Sequence, residues 1–443
     1  MPILSWDANG TGARLRQALA PERWPFDPAL LPAGSMLVGG AVRDALLGRL
    51  GETPDLDVVV DGDAVALARS LARRCGGTCV VLDAERSIAR LVLRGWNLDL
   101  ARRMGADLAT DLRRRDYSVN ALALPLPAPG REEGGDLIDA TGGLADLQAG
   151  RLRALGEANL LEDPLRLLRG PRLACELGFT LEPATRAWIT AHRLRLGSVA
   201  GERVLAELER LAAAPGGGEG LALTLELGLL ESWGGAGGAA LPLLAGLTPQ
   251  GARAAGLSPA EAAGALALAR LAAVLGGEAL GRLPLSRRLQ QRISRLRRWR
   301  RQLLEPQGEA ASDGAEGRAA EGCLAGLGER ERLALQRDLE EDWPALALHL
   351  QPADAQESLR RWRQRDDPLF HPRPPLDGLT LQRRLALRPG RELGELLEHL
   401  SAERAFRRLP AEGGQERILE ACRSWLESRG GSAAGPRPLG PPP

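Results

Sequence analysis

The chain has 443 residues, of which 44% are hydrophobic, and its formal net charge is +1. This length is too great for one ordinary core, so we expect two to four subdomains. The near-zero charge excludes a basic field over the whole molecule. Any nucleic-acid site therefore has to come from local patches of arginine, because the chain contains no lysine.

The cysteines and the N-terminal residues indicate the cellular compartment. The five cysteines are Cys75, Cys79, Cys175, Cys323 and Cys422. Only Cys75 and Cys79 are close, and no CxxC motif or partnering His cluster accompanies them. Free buried thiols in a reducing compartment are therefore expected, and zinc binding is the alternative. The first residues lack the basic start and apolar centre of a signal peptide, and no apolar run is long enough to span a membrane. These features predict a soluble, cytoplasmic protein.

The first third of the chain alternates between helix and strand signals. An N-terminal extension, residues 1–34, carries one short helix. The next elements are strand, turn, helix and strand over 36–60, a helix over 64–75, strands over 78–83, 88–93 and 96–100, and helix or strand over 117–126. This pattern predicts a mixed α/β head domain over residues 35–150.

From about residue 158 the strand signals give way to helical periodicity. Helices are predicted over 164–177, 183–195, 200–213, 259–275, 285–304, 327–350 and 353–365, with glycine-rich breaks over 215–240 and a surface loop over 306–322. The fold class is therefore α+β. We divide the helical part into a neck, residues 151–213, and a body and tail, residues 214–427, followed by a disordered tail over 428–443.

Two carboxylates of the head stand one residue apart on a predicted strand. Asp55 and Asp57 point to the same side, roughly 6.5–7 Å apart along the strand, because strand side chains alternate. That spacing suits a shared pair of metal ions. Gly39 and Gly40, which precede them, let backbone N–H groups approach an anion closely. A phosphate-binding turn beside metal-binding carboxylates predicts chemistry on a nucleoside triphosphate.

Several motifs occur in a fixed order along the chain. They are GGAVRD (39–44), DLD (55–57), RRDYSVNALA (114–123), DATGGLADL (139–147) and EDPLRLLR (162–169). In this order they resemble the bacterial-type CCA-adding tRNA nucleotidyltransferase and poly(A) polymerase family. SVAGERVLAEL (198–208) is similar to that family's next element, and LDGLTLQRRLALRPGRELGELL (376–397) to a segment near its end. The resemblance is dense over 36–210 and weaker beyond.

The resemblance implies a polymerase-β-like nucleotidyltransferase head followed by an all-helical neck, body and tail. The implied reaction adds CCA, or part of it, to tRNA 3′ ends from CTP and ATP and releases pyrophosphate. Asp55, Asp57 and, on a later strand, Asp99 would hold Mg²⁺, which activates the RNA 3′-hydroxyl and neutralises the triphosphate. Without the motif order, Asp55 and Asp57 suit a solvated strand end or turn, and the alternative for Asp99 is an edge-strand charge.

The resemblance also implies a set of nucleotide-binding residues. These are Gly39, Gly40, Arg43 and Asp44 for the triphosphate, Arg115, Asp116 and Asn120 for the ribose, and Asp163 and Arg166 for the base. Arg43 can lie on phosphate oxygens, and Arg115 and Asp116 would help to distinguish ribonucleotides. Taken singly, the glycines also suit an ordinary turn, and Asp44 or Asp116 suits a helix cap.

Base selection is the role that the resemblance gives to Asp163 and Arg166. Pro164 suits the first helical position, which makes Asp163 the predicted N-cap, and Arg166 can share its helical face. An acceptor beside a planar donor fork can pair with the Watson–Crick edge of ATP or CTP. The alternative interpretation is a helix cap with a first-turn salt bridge.

The helix predicted over 285–304 carries eight arginines around Trp299. It is equally consistent with a salt-sensitive grip on tRNA phosphates and with a solvated arginine-rich face. The four histidines show no metal-ligand spacing, and we assign them no chemistry. The expected partners are tRNA, CTP and ATP, with no membrane and no stable protein partner.

Two features depart from the family pattern. The segment between Asp99 and Arg114 is short where many CCA-adding members have a longer flexible loop, which leaves addition of CC only or of the final A only open. Pro171 falls inside the helix that follows the base-selecting residues, where a proline costs on the order of 3 kcal/mol and usually kinks the helix.

Two alternative functions stay open for the chain. They are poly(A) synthesis and RNA binding without catalysis.

Overall fold

A computed structural model describes residues 11–127, 135–304, 326–409 and 414–429. The loop predicted over 306–322, Cys323 and the predicted disordered tail beyond residue 429 lie outside these residues. The chain divides into two compact units. The first unit comprises Met1–Glu207 and Leu223–Trp233, and the second comprises Leu208–Ala222 and Gly234–Pro443. The finer division into head, neck, body and tail stays a prediction.

A seven-stranded mixed sheet forms the centre of the first unit, with the order β3-β4-β5-β2-β1-β6-β7. Its strands are β1 (Met36–Val38), β2 (Leu56–Val60), β3 (Thr78–Asp83), β4 (Ile88–Leu93), β5 (Trp96–Arg102), β6 (Leu122–Pro125) and β7 (Ile138–Asp139). β2 and β5 run parallel, and the other neighbouring pairs are antiparallel. The parallel pair is the part of the sheet that positions the site.

Helices are interspersed with these strands along the first unit. They are α1 (Thr11–Leu19), α2 (Gly40–Leu46), α3 (Ala64–Cys75), α4 (Leu108–Arg113), α5 (Gly143–Gln148), α6 (Glu157–Glu162), α7 (Leu165–Leu177) and α8 (Pro183–Ala191). Short 3-10 turns cover Pro21–Arg23, Pro28–Leu30, Ser118–Asn120, Arg193–Ser198 and Glu231–Trp233. A second, two-stranded sheet pairs β8 (Arg151–Leu152) with β9 (Thr180–Leu181) in parallel.

Local chemistry explains why α3 begins and ends where the sequence predicts. The Asp63 carboxylate accepts hydrogen bonds from the N–H groups of Val65 and Ala66, which would otherwise lack a partner in the first turn. Gly76 ends the helix in a left-handed conformation at φ 73°. Apolar residues such as Ala68 and Leu71 are buried between these ends and fix the helix on the sheet.

The described part of the second unit contains helices and no strand. The helices α9 (Gly201–Ala213) and α10 (Gly217–Glu226) contain points at which the chain changes unit. They are followed by a 3-10 turn over Gly238–Ala240 and by α11 (Leu241–Gly246), α12 (Pro249–Ala254), α13 (Pro259–Val274), α14 (Gly277–Arg282), α15 (Arg287–Leu304), α16 (Glu329–Asp338), α17 (Trp343–Ala347), α18 (Pro352–Arg363), α19 (Gly378–Leu385), α20 (Arg391–Ala405) and α21 (Gln415–Ser428).

A buried arginine ties elements of the second unit together. Arg270 on α13 is 1% exposed, and its guanidinium donates to the carbonyls of Ala212, Ala214 and Pro215 and to that of Leu247. Carbonyls at the end of a helix have no partner within the helix, so this guanidinium satisfies groups that would otherwise be costly to bury.

The α+β fold class is confirmed, and a few predicted elements are corrected. The helix predicted over 327–350 is two helices, α16 and α17, because Leu339 ends the first and Pro344 suits the first turn of the second. The helix predicted over 183–195 ends at Ala191. Strand structure does not stop at residue 158, since β9 lies beyond it. α7 continues through Pro171 as one helix. No helix of the described ranges is both long and apolar enough to cross a membrane.

Candidate active site

Asp57 and Asp99 are direct neighbours across the parallel strands β2 and β5. Residues in register on adjacent strands point to the same face, with the strands about 4.8 Å apart. Asp55 immediately precedes β2 and accepts a hydrogen bond of 2.9 Å from Nδ2 of Asn97, which lies two residues before Asp99 on that face. The structure therefore places all three predicted carboxylates on one face of the sheet.

Burial and like charge act together on Asp57. Burial and, after it, the neighbouring charges of Asp99 and Asp55 raise the pKa of Asp57 to about 6, although Arg115 and Arg169 act to lower it. The burial has a clear source, because Val38 lies opposite Asp57 on β1 and belongs to an apolar cluster on this part of the sheet. Negative charge is thus concentrated where water has little access. The ionised form of Asp57 is disfavoured there unless a cation is present.

Arg90 supplies one such cation. It lies opposite Asp99 in the antiparallel pairing of β4 with β5, and its Nε and Nη2 atoms donate to the two carboxylate oxygens of Asp99 at 2.7 and 2.8 Å. Neither Arg90 nor Asn97 was predicted from the sequence. The alternation of the predicted strands over 88–93 and 96–100 was the signal that could have placed both on the carboxylate face.

The three carboxylates do not form a ready metal centre. Among the residues that the structure describes, no group of three or more His, Cys, Asp and Glu side chains is arranged to hold a metal ion. Asp57 and its acidic neighbours nevertheless fit a divalent cation chemically, because oxygen ligands of concentrated negative charge are those that Mg²⁺ prefers. The assignment of Asp55, Asp57 and Asp99 as metal ligands stays a prediction.

Gly39 forms the turn between β1 and α2 beside Asp57. Its φ is +76°, and a Cβ atom at this position would lie 2.7 Å from Oδ2 of Asp57. Glycine is therefore required here both for the backbone conformation and for the space. Gly40 is the first residue of α2, which places Arg43 and Asp44 within that helix and not at its start. Asp44 is thus not a helix cap.

A chain of polar contacts joins this helix to the RRDYSVN segment and to α7. Arg43 donates to both carboxylate oxygens of Asp44 at 2.8 and 2.9 Å, and its Nη1 donates to Oδ1 of Asn120 at 2.6 Å. Nδ2 of Asn120 donates to Asp116 at 3.2 Å, and Nε of Arg169 donates to the other Asp116 oxygen at 2.9 Å. We refer to these five residues as the polar chain.

Asp116 is the buried centre of the polar chain. Burial alone would raise the pKa of Asp116, but Arg169, the Tyr117 N–H and the Asn120 amide together lower it to about 2. Asp116 therefore stays ionised. It is held by the side chains of Asn120 and Arg169 and by the Tyr117 N–H, and it does not act as a helix cap. Arg169 was not singled out by the sequence analysis, although it is the last residue of the EDPLRLLR motif.

Asp163 and Arg166 lie close together but do not pair with each other's side chain. Asp163 accepts hydrogen bonds from Nη2 and Nη1 of Arg203 at 2.7 and 3.2 Å. Nη1 of Arg166 donates to the carbonyls of Arg114 and Asn159 at 3.0 and 2.8 Å. Burial would raise the pKa of Asp163, but the hydrogen bonds from Arg203 lower it. Arg203, within the SVAGERVLAEL motif, was also missed.

The predicted helix start at Pro164 is displaced by one residue. α7 begins at Leu165, and Pro164 precedes it. Asp163 still accepts a hydrogen bond of 3.3 Å from the Leu165 N–H, so it does serve the first turn of α7. Asp163 itself has extended backbone and ends α6, so it does not share a face of α7 with Arg166.

A cavity of about 230 Å³ opens on the carboxylate face. Five of its lining residues are arginines, namely Arg86, Arg102, Arg114, Arg115 and Arg166. Its sheet lining includes Val59 and Ala101, which are two residues further along β2 and β5 than Asp57 and Asp99. The Nε atom of Arg115 is buried without a hydrogen-bond partner. The lining also includes Asp111 and Glu162, which pair with Arg115 and Arg114. Arginines outnumber carboxylates in the lining, so the cavity can take an anionic substrate.

The short connection after the strand of Asp99 is held at both ends by hydrogen bonds, and we call it a tied turn. The connection between β5 and α4 covers residues 103–107. Asp107 accepts a hydrogen bond of 2.8 Å from the Thr110 N–H, and Asp111 accepts one of 2.8 Å from the Met104 N–H. These contacts hold both ends of the connection against α4.

The arginines of α15 are partly used inside the second unit. Arg292 donates to Asp342 at 2.7 and 3.0 Å, and Arg288 pairs with Glu341 at 2.7 Å. Arg298 pairs with Asp338, which also accepts a hydrogen bond of 2.8 Å from Nε1 of Trp299. These contacts support a structural role for part of the helix, and a tRNA-binding role for α15 stays a prediction.

Two segments of the chain match known protein families. Residues 35–153 match the family described as "Poly A polymerase head domain", and residues 178–233 match "Probable RNA and SrmB- binding site of polymerase A". The resemblance drawn from the motifs is thus confirmed for these segments.

Curated relatives match a little under half of the chain. A CC-adding tRNA nucleotidyltransferase of Synechocystis sp. is 44% identical over 209 residues, which is 47% of this chain and 49% of the relative. An A-adding tRNA nucleotidyltransferase of Deinococcus radiodurans is 41% identical over 215 residues, which is 47% of this chain and 46% of the relative. The chain spans about half the length of the curated relatives it matches.

Solved structures extend the similarity in fold over most of the chain. A CCA-adding enzyme in complex with CTP matches with a TM-score of 0.66 at 22% identity, covering 96% of this chain and 100% of that one. The Thermotoga maritima CCA-adding enzyme complexed with tRNA matches with a TM-score of 0.63 at 22% identity, covering 88% and 91%. The α+β fold of the chain is the fold of these enzymes.

Proposed function

We propose that this chain, which carries a poly A polymerase head domain followed by the matching RNA-binding segment, is a tRNA nucleotidyltransferase that extends tRNA 3′ ends from CTP, ATP or both. The observation that carries the proposal is the placement of Asp57 and Asp99 side by side on β2 and β5, with the Gly39 turn against Asp57. The curated relatives, which are CC-adding and A-adding enzymes, support the same substrate class.

The reaction joins the RNA to a nucleotide without a nucleic-acid template. The RNA 3′-hydroxyl oxygen attacks the α-phosphorus of CTP or ATP and loses its proton. A new phosphodiester bond forms, the bond from the α-phosphorus to the bridging oxygen breaks, and pyrophosphate leaves. The chain's residues have to bind and orient the two substrates, because positioning and charge stabilisation supply most of the catalysis in phosphoryl transfer.

Asp55, Asp57 and Asp99 are the residues that would hold Mg²⁺. When bound, the ion supplies charge neutralisation at the triphosphate and makes the RNA hydroxyl a better nucleophile. The raised pKa of Asp57 supports this assignment, since a cation relieves the repulsion that Asp99 and Asp55 exert on it. Oxygen ligands also suit Mg²⁺ better than the softer transition metals.

The triphosphate and ribose would be bound by the residues around the polar chain. Gly39 and Gly40 bring backbone N–H groups near the carboxylate face, and Arg43 and Arg115 provide guanidinium donors for phosphate oxygens. The buried Nε of Arg115 has no partner, which fits a group that awaits a ligand. Asp116 and Asn120 would position the ribose hydroxyls, and Arg169 keeps Asp116 ionised for that role.

Base selection would rest on Asp163 and Arg166. Asp163 offers acceptor oxygens and Arg166 a donor fork, which together complement the Watson–Crick edge of cytosine or adenine. Both side chains are held by other groups of the first unit, Asp163 by Arg203 and Arg166 by two backbone carbonyls. Preorganised side chains of this kind can act as a template of fixed shape.

One observation favours incomplete addition as a second candidate. The connection over residues 103–107 is short and tied at both ends by Asp107 and Asp111. A tied turn has little freedom to rearrange the site between a pyrimidine and a purine, so addition of only one kind of nucleotide is the alternative to full CCA synthesis.

We also propose that the helices of the second unit bind the body of tRNA. The enzyme would work in the cytoplasm, where tRNA and its nucleotides are available.

An assay with each nucleotide alone tests the proposal. The purified protein is incubated with Mg²⁺ and labelled CTP or ATP, and with tRNA ending before CCA, tRNA ending in CC, or an unstructured RNA. Incorporation into the tRNAs supports the proposal, and the nucleotide used on each tRNA distinguishes full, CC-only and A-only addition. Long adenylate tails on the unstructured RNA indicate a poly(A) polymerase. Mg²⁺-independent binding without labelling indicates a silent RNA-binding protein.

A further inference from the structure

Arg90, Asp99 and Asp57 form a row across three neighbouring strands. Arg90 on β4 is in register with Asp99 on β5, and Asp99 is in register with Asp57 on β2. One cationic and two anionic side chains therefore follow one another on the same face of the sheet. The row runs directly into the carboxylate cluster that the proposed function uses.

The guanidinium of Arg90 occupies both oxygens of Asp99. The two hydrogen bonds, 2.7 Å from Nε and 2.8 Å from Nη2, form the parallel bidentate arrangement that is the strongest pairing of these groups. The exposed fraction is 40% for the Arg90 side chain and 24% for that of Asp99. A pair with this exposure can open without creating a buried unpaired charge, because water reaches both groups.

We infer that Arg90 is the internal counter-ion of the carboxylate cluster, which holds Asp99 in the metal-free protein and has to release it when a divalent cation binds. The inference rests on the proposed function, since it concerns the same carboxylates. Oxygen lone pairs that accept hydrogen bonds from Arg90 compete with coordination of a metal ion. Arg90 is therefore a positioning residue that sets the cation concentration at which the site fills.

Direct measurement of Mn²⁺ binding tests the inference apart from catalysis. Free Mn²⁺ is titrated by electron paramagnetic resonance against the full chain and against Arg90→Ala and Arg90→Lys. We expect Arg90→Ala to bind Mn²⁺ about fivefold more tightly or better, and Arg90→Lys to fall between Arg90→Ala and the parent, because lysine keeps the charge but lacks the planar fork.

Two further variants separate the contact from a general charge effect. Arg94→Ala removes the same charge at the turn between β4 and β5, and its Mn²⁺ affinity should stay within twofold of the parent. In an Asp99→Asn background, Arg90→Ala should change the affinity by less than twofold, because no carboxylate remains to be released. Circular dichroism and thermal unfolding confirm that each variant is folded.

The outcomes distinguish this inference from the proposed function. Unchanged or weaker Mn²⁺ binding by Arg90→Ala, with binding that is still lost in Asp57→Asn, overturns the role of Arg90 and leaves the proposed metal site standing. Mn²⁺ binding that does not depend on Asp57 overturns both. Equal affinity gains in Arg90→Ala and Arg94→Ala also contradict the inference, because charge alone would then explain them.

Discussion

Gly39 leaves no room for a side chain next to Asp57. A Cβ atom at residue 39 would lie 2.7 Å from the Oδ2 atom of Asp57, a distance that real Cβ contacts essentially never show. The turn and the carboxylate are thus fitted to each other, and the position of Asp57 depends on the absence of a methyl group one strand away. This contact makes the site sensitive to the smallest possible substitution.

Gly39→Ala should lower turnover at least ~10²-fold, because displacement of a reacting group by about 1 Å can cost that much. It should also cost about 1–3 kcal/mol of stability, since an L-residue is strained at φ +76° and ψ −141°, close to a region that essentially only glycine adopts. Turnover is measured by labelled nucleotide incorporation, and stability by urea unfolding.

Gly48→Ala is the matched control for Gly39→Ala. Gly48 also has a positive φ, +62°, but nothing lies within 4 Å of a Cβ there. We expect a similar loss of stability with turnover within threefold of the parent. Similar losses of turnover in both variants would show that backbone strain, and not the contact with Asp57, is responsible.

Asp57→Asn should stabilise the metal-free protein at neutral pH. The folded-state pKa of Asp57 is raised from 3.8 to about 6, so ionisation of this group opposes folding above that pH. The stability that the protonated group contributes is fully present below about pH 4 and is lost as the pH rises through 6. A shift of this size corresponds to on the order of 3 kcal/mol.

The measurement is the free energy of unfolding of both proteins in EDTA between pH 4 and pH 8. We expect Asp57→Asn to be more stable than the parent at pH 8, and the difference to shrink towards zero at pH 4. Equal stability at pH 8, or a difference that grows as the pH falls, contradicts the burial of a charged Asp57.

Asp55→Ala should reduce turnover by at least ~10³, because the proposed metal ions carry most of the transition-state charge. Asp61→Ala is the control on the other end of β2, where Asp61 is exposed and pairs with Arg103 at 2.8 Å. It should leave turnover near that of the parent. Near-normal turnover of Asp55→Ala would remove Asp55 from the metal assignment.

Arg166→Ala should blur the choice between CTP and ATP more than it slows incorporation. Its guanidinium is the donor half of the proposed base-selecting pair, and its loss leaves the phosphate-binding residues in place. The ratio of kcat/KM for the two nucleotides is measured on tRNA ending before CCA and on tRNA ending in CC. An unchanged ratio would exclude Arg166 from base selection.

Arg203→Ala tests Asp163, the acceptor half of the proposed base-selecting pair, by removing the arginine that holds it. Arg203 holds Asp163 at 2.7 Å, so its loss should loosen base choice in the same direction as Arg166→Ala, with a smaller effect. Arg203→Lys should restore part of the selectivity, because it keeps one charged donor. Arg186→Ala, which removes an exposed pair with Glu226, is the control.

Much of the head could be predicted because its signals are local. Alternating residues and end-capping groups define β3, β4, β5 and α3 at nearly the predicted bounds, and the DLD and WNLDL segments were correctly read as strands. The order of the sheet was not predicted. The pairing of β2 with β5 brings Asp57 and Asp99 together across a long stretch of chain, and no local pattern specifies which strands become neighbours.

The partners of the site residues were hidden for a similar reason. Arg90, Arg169 and Arg203 are ordinary members of an arginine-rich sequence, and their roles appear only when the fold opposes them to Asp99, Asp116 and Asp163. The bounds of helices such as α16 and α17 were missed because both flanking segments have helical periodicity. The break between them is decided by packing of the buried Trp343 and by Pro344.

The polar chain has a consequence for how this protein can change over evolutionary time. Each of Arg43, Asn120 and Asp116 bonds to a neighbour on either side, so replacing one of them strands groups on two others. A stranded buried donor or acceptor costs about 1–3 kcal/mol, which is a large share of a domain's stability. Single changes at these positions should therefore be tolerated less often than coordinated ones, although the segments that carry them lie far apart in the chain.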